Sequence, residues 1–126
     1  MVCNAAHALA ADEWTLVTGT EIKTYEARDK SLEFLSINSQ EPAAVLLFRI
    51  TDSSKQSIRF TKYIVSLNDC RQGIGRLIAA DASNQPIYQA HFVFEGGNIA
   101  SRIAQTVCIS ADLEMKEMAK RARHGT

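Results

Sequence analysis

The chain has little of several things that would direct it toward a specialised class. No stretch approaches the roughly 20 apolar residues that a helix needs to cross a bilayer, so no transmembrane segment is expected. Two prolines and six glycines are too few for a collagen-like or linker-dominated chain. Charge of one sign is not in excess: fourteen basic residues face fourteen acidic ones, which gives no whole-molecule attraction to nucleic acid or to an anionic membrane. Metal-ligand spacings such as CxxC and HxxxH are missing, as are the glycine frames that cradle phosphates, so neither a metal nor a cofactor is implied. What remains is ordinary. With 126 residues, 46% of them apolar and 22% charged, the chain is expected to fold around one core.

Residues 1–10 read as a residual signal-peptide-like segment, and residues 11–126 as a single domain. Met1 to Ala11 carry no Lys, Arg, Asp or Glu, and Ala8-Leu9-Ala10 places small residues where a signal peptidase requires them. A positive leading region and a longer apolar stretch are missing, so the segment is read as the tail of an export signal that starts upstream. The alternative is the terminus of a cytosolic protein. Cys3 lacks the small preceding residue and the apolar helix of a lipidation site.

Cleavage after Ala10 would leave two cysteines, Cys70 and Cys108, and an oxidising compartment favours their pairing. Closing a loop of that length removes roughly 4 kcal/mol of chain entropy from the unfolded state. Two buried reduced thiols acting as small hydrophobes are the alternative.

The middle of the chain alternates like strands broken by turns. Candidate strands are Trp14–Thr18, Glu21–Glu26, Ser31–Ile37, Ala43–Thr51, Gln56–Leu67, Gly73–Ala80 and Ile87–Phe94, with loops at Ala27–Lys30, Ser39–Pro42, Asp52–Lys55, Asp81–Pro86 and Glu95–Asn98. Ala43–Thr51 and Gln56–Leu67 form a long antiparallel hairpin. In its second arm Ile58 and Phe60 share one face while Tyr63, Val65 and Leu67 share the other. A bulge near Lys62 would bring both sets to one core. The spacing then becomes helical: Ile99, Ile103 and Val107 form one stripe, with Asn98 or Ser101 as cap. A second helix is expected from about Ala111 to Arg123, capped by Ser110, with acids early, bases late and a thin stripe of Leu113 and Met118. The fold class is therefore α+β: an antiparallel meander of about six to seven strands, a helix packed on it, and a C-terminal helical tail over 109–126.

Chemistry is sparse. His91 shares a strand side with Gln89 and Val93, which is the placement of a solvent-facing histidine, and His124 lies near the terminus. Cys70 and His91 are the only thiol and imidazole that could pair for nucleophilic catalysis, and a disulfide at Cys70 would forbid it. Gly73-Ile74-Gly75 and Gly96-Gly97 read as bends. Lys120, Arg121 and Arg123 form the one local excess of charge. They suit a solvated helix end or a contact with an acidic partner.

The leading Trp14 strand, the Tyr25–Leu35 hairpin, a long strand running into Asp69-Cys70, and a helix from Ile99 closing on Val107-Cys108 together resemble the surface-adhesin E-like family of small exported Gram-negative proteins. The resemblance spans roughly residues 14–108. It implies an antiparallel sheet with a packed helix, a Cys70–Cys108 bond, no catalytic site, and binding of a host protein. The tail from Ile109 to Thr126 extends past the family's usual end. The expected function is thus an exported, non-enzymatic interaction module of the envelope, periplasmic or secreted, adhesin-like or immunity-like. Its expected partner is a protein, with a homodimer as a further option. The alternatives are a small thiol hydrolase using Cys70 and His91, or a ligand-binding sheet with a pocket lined by Phe92, Phe94 and Ile103.

Overall fold

The computed structural model describes residues 13–124. These form seven strands and two helices: β1 (Trp14–Gly19), β2 (Lys23–Arg28), β3 (Glu33–Ile37), β4 (Glu41–Asp52), β5 (Ser57–Ser66), α1 (Leu67–Gln72), β6 (Ile74–Ala80), β7 (Pro86–Val93) and α2 (Ile99–His124). The strands make one antiparallel sheet in the order β1-β2-β4-β5-β6-β7, and β3 also pairs with β4. The α+β meander is present.

Strand β4, twelve residues long, is the spine. Its first half pairs with β3 and its second half with β2, while β5 runs along its other side. Where β2 gives way to β3, the Leu47 N–H donates to Ser31 Oγ (3.1 Å), and that hydroxyl donates to the Arg28 carbonyl (2.8 Å). The break in the ladder therefore leaves no orphaned donor there.

Alternation along the strands sends Ala44, Leu46, Phe48 and Ile50 of β4 to one face, with Tyr63 and Val65 of β5 and Leu77 and Ala79 of β6 beside them. Helix α2 covers this face with Ile103, Ala104, Val107, Cys108 and Ala111, which recur at helical spacing. The helix touches both outer strands, β1 and β7, as well as β4 and β5. The sheet is thus curled around the helix, with a concave face toward it and a convex face away. On the convex side a smaller buried cluster joins Ala43, Val45, Ile64, Ile78 and Ala80, with Leu35 and Ile37 packed against it.

Several expectations are corrected. Strand β2 begins at Lys23, two residues late, and carries Ala27 and Arg28 into the ladder because Ala27 fills the core opposite Phe48. Pro42 lies in β4 opposite Ser36 instead of in a loop. Residues 67–72 form a six-residue helix instead of continuing the strand. Ser66 caps it by accepting from the Asp69 N–H (3.1 Å), and Gly73 ends it at φ 73°, a left-handed position that suits glycine. The two helices expected after Ile99 are one: the buried stripe runs through Ser110 to Ala111 without a breaker. Asn98 is its cap, accepting from the Ser101 N–H (2.8 Å). No bulge occurs in β5, which stays in register with β4 from Ser57 to Ser66.

Two hairpin turns are pinned by carboxylates. Asp52 accepts from the Ser54 hydroxyl (2.7 Å) and from the backbone N–H groups of Ser54 and Lys55, and these bonds hold its pKa below the ordinary value. Asp81 is lowered in the same way, first by the Gln85 N–H and then by the Ser83 hydroxyl. A depressed folded pKa means that the stability involved is present above the unfolded value near 3.8 and is lost as pH falls through the folded values. An Asp52→Asn/Asp81→Asn variant is expected to unfold with a shallower acid limb than the parent in pH-dependent urea titrations. Identical slopes below pH ~4 would remove both turns from the acid response.

Candidate interaction surface

The absence of a bulge in β5 has a direct consequence. Ile58 and Phe60 point away from the helix, onto the convex face, and remain 61% and 58% exposed. The ladder brings residues from three other strands beside them. Leu16 of β1 faces Glu26 of β2, Glu26 faces Arg49 of β4, and Arg49 faces Phe60 of β5, so one row crosses the sheet. Leu16 is 65% exposed. Trp14, two residues before it on the same strand side, lies with its ring centroid 5.8 Å from that of Phe60.

Arg49 organises this patch. Its Nε donates to Glu26 Oε1 at 2.9 Å, and its guanidinium carbon sits 4.6 Å from the Trp14 ring centroid. The ion pair fixes the guanidinium plane and the indole receives its charge, so the long side chain is ordered before any partner arrives. Aromatic groups and arginine in a fixed arrangement, with aliphatic neighbours, match the composition of the energetic centres of protein interfaces. An isolated exposed leucine needs no explanation, whereas a contiguous row of this kind does.

The residues singled out from the sequence fall elsewhere. Cys70 of α1 and Cys108 of α2 are joined in a disulfide with Cα atoms 5.5 Å apart. The sulfur of Cys70 is therefore committed and offers no thiolate to His91. That histidine is exposed on β7, opposite Arg76 in the ladder. Lys120, Arg121 and Arg123 lie exposed on the last turns of α2, past its last buried residue Ala111, and Arg121 donates to Glu114 Oε2 at 3.0 Å. The signal-like segment over residues 1–10 lies outside the described residues. Among the described residues no three His, Cys, Asp or Glu side chains are grouped to hold a metal, and no helix is long and apolar enough to cross a membrane.

The pocket expected from Phe92, Phe94 and Ile103 is not formed by that trio. Phe92 and Ile103 are buried in the core, and Phe94 instead lines a groove of about 430 Å³ beside the disulfide, with Leu67, Ile109, Met115 and Arg71. The Gly75 backbone is closed off by the Asp69 carboxylate, which accepts the Arg76 N–H (3.1 Å) and with which any Cβ at Gly75 would collide. Gly73 and Gly75 thus serve a helix end and a close packing contact.

The convex row is not legible in the sequence when Ile58 and Phe60 are expected in the core. The signal that marks it is alternation in phase with charge: Glu26 and Arg49 share a sheet face with Leu16 and Phe60. Comparison of the chain with models of known families, with curated proteins and with solved structures finds no match.

Proposed function

We propose that this protein is an exported, non-enzymatic interaction module of the bacterial envelope that grips a protein partner through the convex row of Trp14, Leu16, Arg49, Ile58 and Phe60. The observation carrying this reading is the ordered Trp14–Arg49–Phe60 cluster, with Trp14 and Arg49 half-buried, Phe60 exposed and Glu26 behind it. A Cys70–Cys108 bond supports a periplasmic or secreted location, since such bonds persist in oxidising compartments. We also propose kinship with the surface-adhesin E-like family, which fits the same location. Within this reading an adhesin would be displayed outside the cell, whereas an immunity-like protein would neutralise a toxin in the periplasm. The basic end of α2 supplies a second, electrostatic contact to an acidic region of the partner.

The test is capture from periplasmic and surface fractions by immobilised protein, comparing the parent with Leu16→Ala/Phe60→Ala. Truncating two residues of an interface centre is expected to weaken a captured partner's affinity at least about tenfold while leaving thermal unfolding nearly unchanged. Partners retained with equal affinity by the variant would overturn the assignment of this face. A companion variant lacking residues 119–126 reads the contribution of Lys120, Arg121 and Arg123, expected as a loss of salt-sensitive binding. Two free thiols at Cys70 and Cys108 in protein recovered from the native cell would remove the export argument.

A further inference from the structure

Helix α2 outruns the core it covers. Ala111 is its last buried residue, and the helix continues to His124, about 20 Å further. Its buried face includes Ser101, Ala104, Cys108 and Ala111, spaced alternately three and four residues apart. That spacing does not stop where burial stops: Met115, Met118 and Ala122 continue it in phase. The result is an apolar seam of the kind that pairs two helices. Its first half is covered by the sheet, whereas in its second half Met115 is 40% and Met118 46% exposed. The opposite side of the helix carries Ile109 and Leu113, but the next turns there bring Lys116 and Lys120, so no second seam forms.

The charges beside the open half match one kind of occupant. Glu114 and Arg121 flank the seam on the same side, each one residue before a seam position. Within the helix Arg121 Nη2 reaches back two turns to Glu114 Oε2 (3.0 Å). Asp112, Glu114 and Glu117 come early in this segment, and Lys120, Arg121 and Arg123 close it. The same sequence running the opposite way therefore sets base against acid and acid against base. A parallel copy would set Glu114 against Ala119 and gather the basic ends together.

We infer that the end of α2 pairs antiparallel with the end of α2 in a second copy of this chain. Met115 packs against Met118 of the second copy, and Met118 against its Met115. Their unbranched, flexible side chains suit such a contact. Glu114 faces Arg121 of the second copy in both directions, so two intrahelical ion pairs become one ring of alternating charge. At each end of the seam the groove beside the disulfide, lined by Leu67, Phe94, Ala111 and Met115, receives the last turn of the other helix. Arg71 at the rim of this groove is turned to Asn68 Oδ1 (3.0 Å). The overlap is about three turns, a small interface, so the dimer is a weak one that forms as concentration rises. The inference does not rest on the proposed function, since the convex row lies on the other face of the sheet. Lys120 and Arg123 lie on the outer side of the pair, where an acidic partner can reach them.

Sedimentation velocity over a concentration series tests this on the full chain. The parent is expected to show a dimer whose share grows with concentration. Met115→Lys/Met118→Lys places ammonium groups inside the seam, and it is expected to stay monomeric with near-parental melting, because both residues lie beyond the core. Glu114→Arg and Arg121→Glu each set like charges face to face and are expected to weaken dimerisation at least about tenfold. An equimolar mixture of these two variants is expected to restore it. In a Cys3→Ser background Ala122→Cys is expected not to crosslink to itself, since the antiparallel register holds the two positions roughly 15 Å apart along the axis. A parent that is monomeric at every concentration would leave the seam to another protein and overturn the inference. So would a dimer that survives the methionine variant, a mixture that fails to restore pairing, or crosslinking through Ala122→Cys.

Discussion

Removing the Cys70–Cys108 bond with a Cys70→Ala/Cys108→Ala variant is expected to cost about 2–5 kcal/mol in equilibrium urea unfolding. The first cause is the unfolded state: with a sequence separation of 38, loop closure alone accounts for roughly 4 kcal/mol. The second is local. Helix α1 has six residues and none of them is buried, so it cannot hold its own turns. Its cap at Ser66, its end at Gly73, the packing of Leu67, the Asp69–Arg76 bond and the link to Cys108 together hold it in place. The cost is a large share of the roughly 5–15 kcal/mol typical for a domain. Hydrogen exchange should show residues 67–72 losing protection before the sheet does. A change below about 1 kcal/mol would mean that the pair constrains little, and the case for an oxidising compartment would weaken with it.

Most of the sheet was legible because its signals are local. Alternation in Trp14–Thr18, Ala43–Thr51 and Ile87–Phe94, and the Asp-led turns at Asp52 and Asp81, locate strands to within two residues. The four-residue repeat of Ile99, Ile103 and Val107 marks the covering helix. Three misreadings share one origin, a rule applied where a competing one governs. Ser110 reads as a cap, although nothing between Cys108 and Ala111 breaks the stripe. Alternation extends the strand after Tyr63 past Ser66, although Ser66-x-x-Asp69 followed by Gly73 is a compact start and stop for a short helix. The bulge at Lys62 followed from requiring apolar residues to be inside. Burial is a one-way rule, and exposed apolar residues in a contiguous row mark function sooner than error.

The last expectation sets two phenylalanines of one hairpin against each other. Phe48 of β4 and Phe60 of β5 sit in adjacent ladder positions, since Phe48 faces Thr61 and Arg49 faces Phe60. They therefore point to opposite faces. Phe48 is fully buried against the helix side and meets Tyr63 edge-on, with centroids 5.1 Å apart at 88°. Burial also raises the Tyr63 phenol pKa, strengthened by the contact of its hydroxyl with that of Tyr88 (3.4 Å). Deleting the Phe48 ring opens a cavity that the flanking Leu46, Ile50 and Tyr63 cannot fill, so Phe48→Ala is expected to cost about 3–5 kcal/mol. Phe60→Ala removes a tilted contact with Trp14 from a surface that water already reaches, and it is expected to cost within about 1 kcal/mol. Urea unfolding of the two single variants measures both. If Phe60→Ala cost as much as Phe48→Ala, the convex row would be structural core, and the partner-binding role assigned to it would have no physical basis.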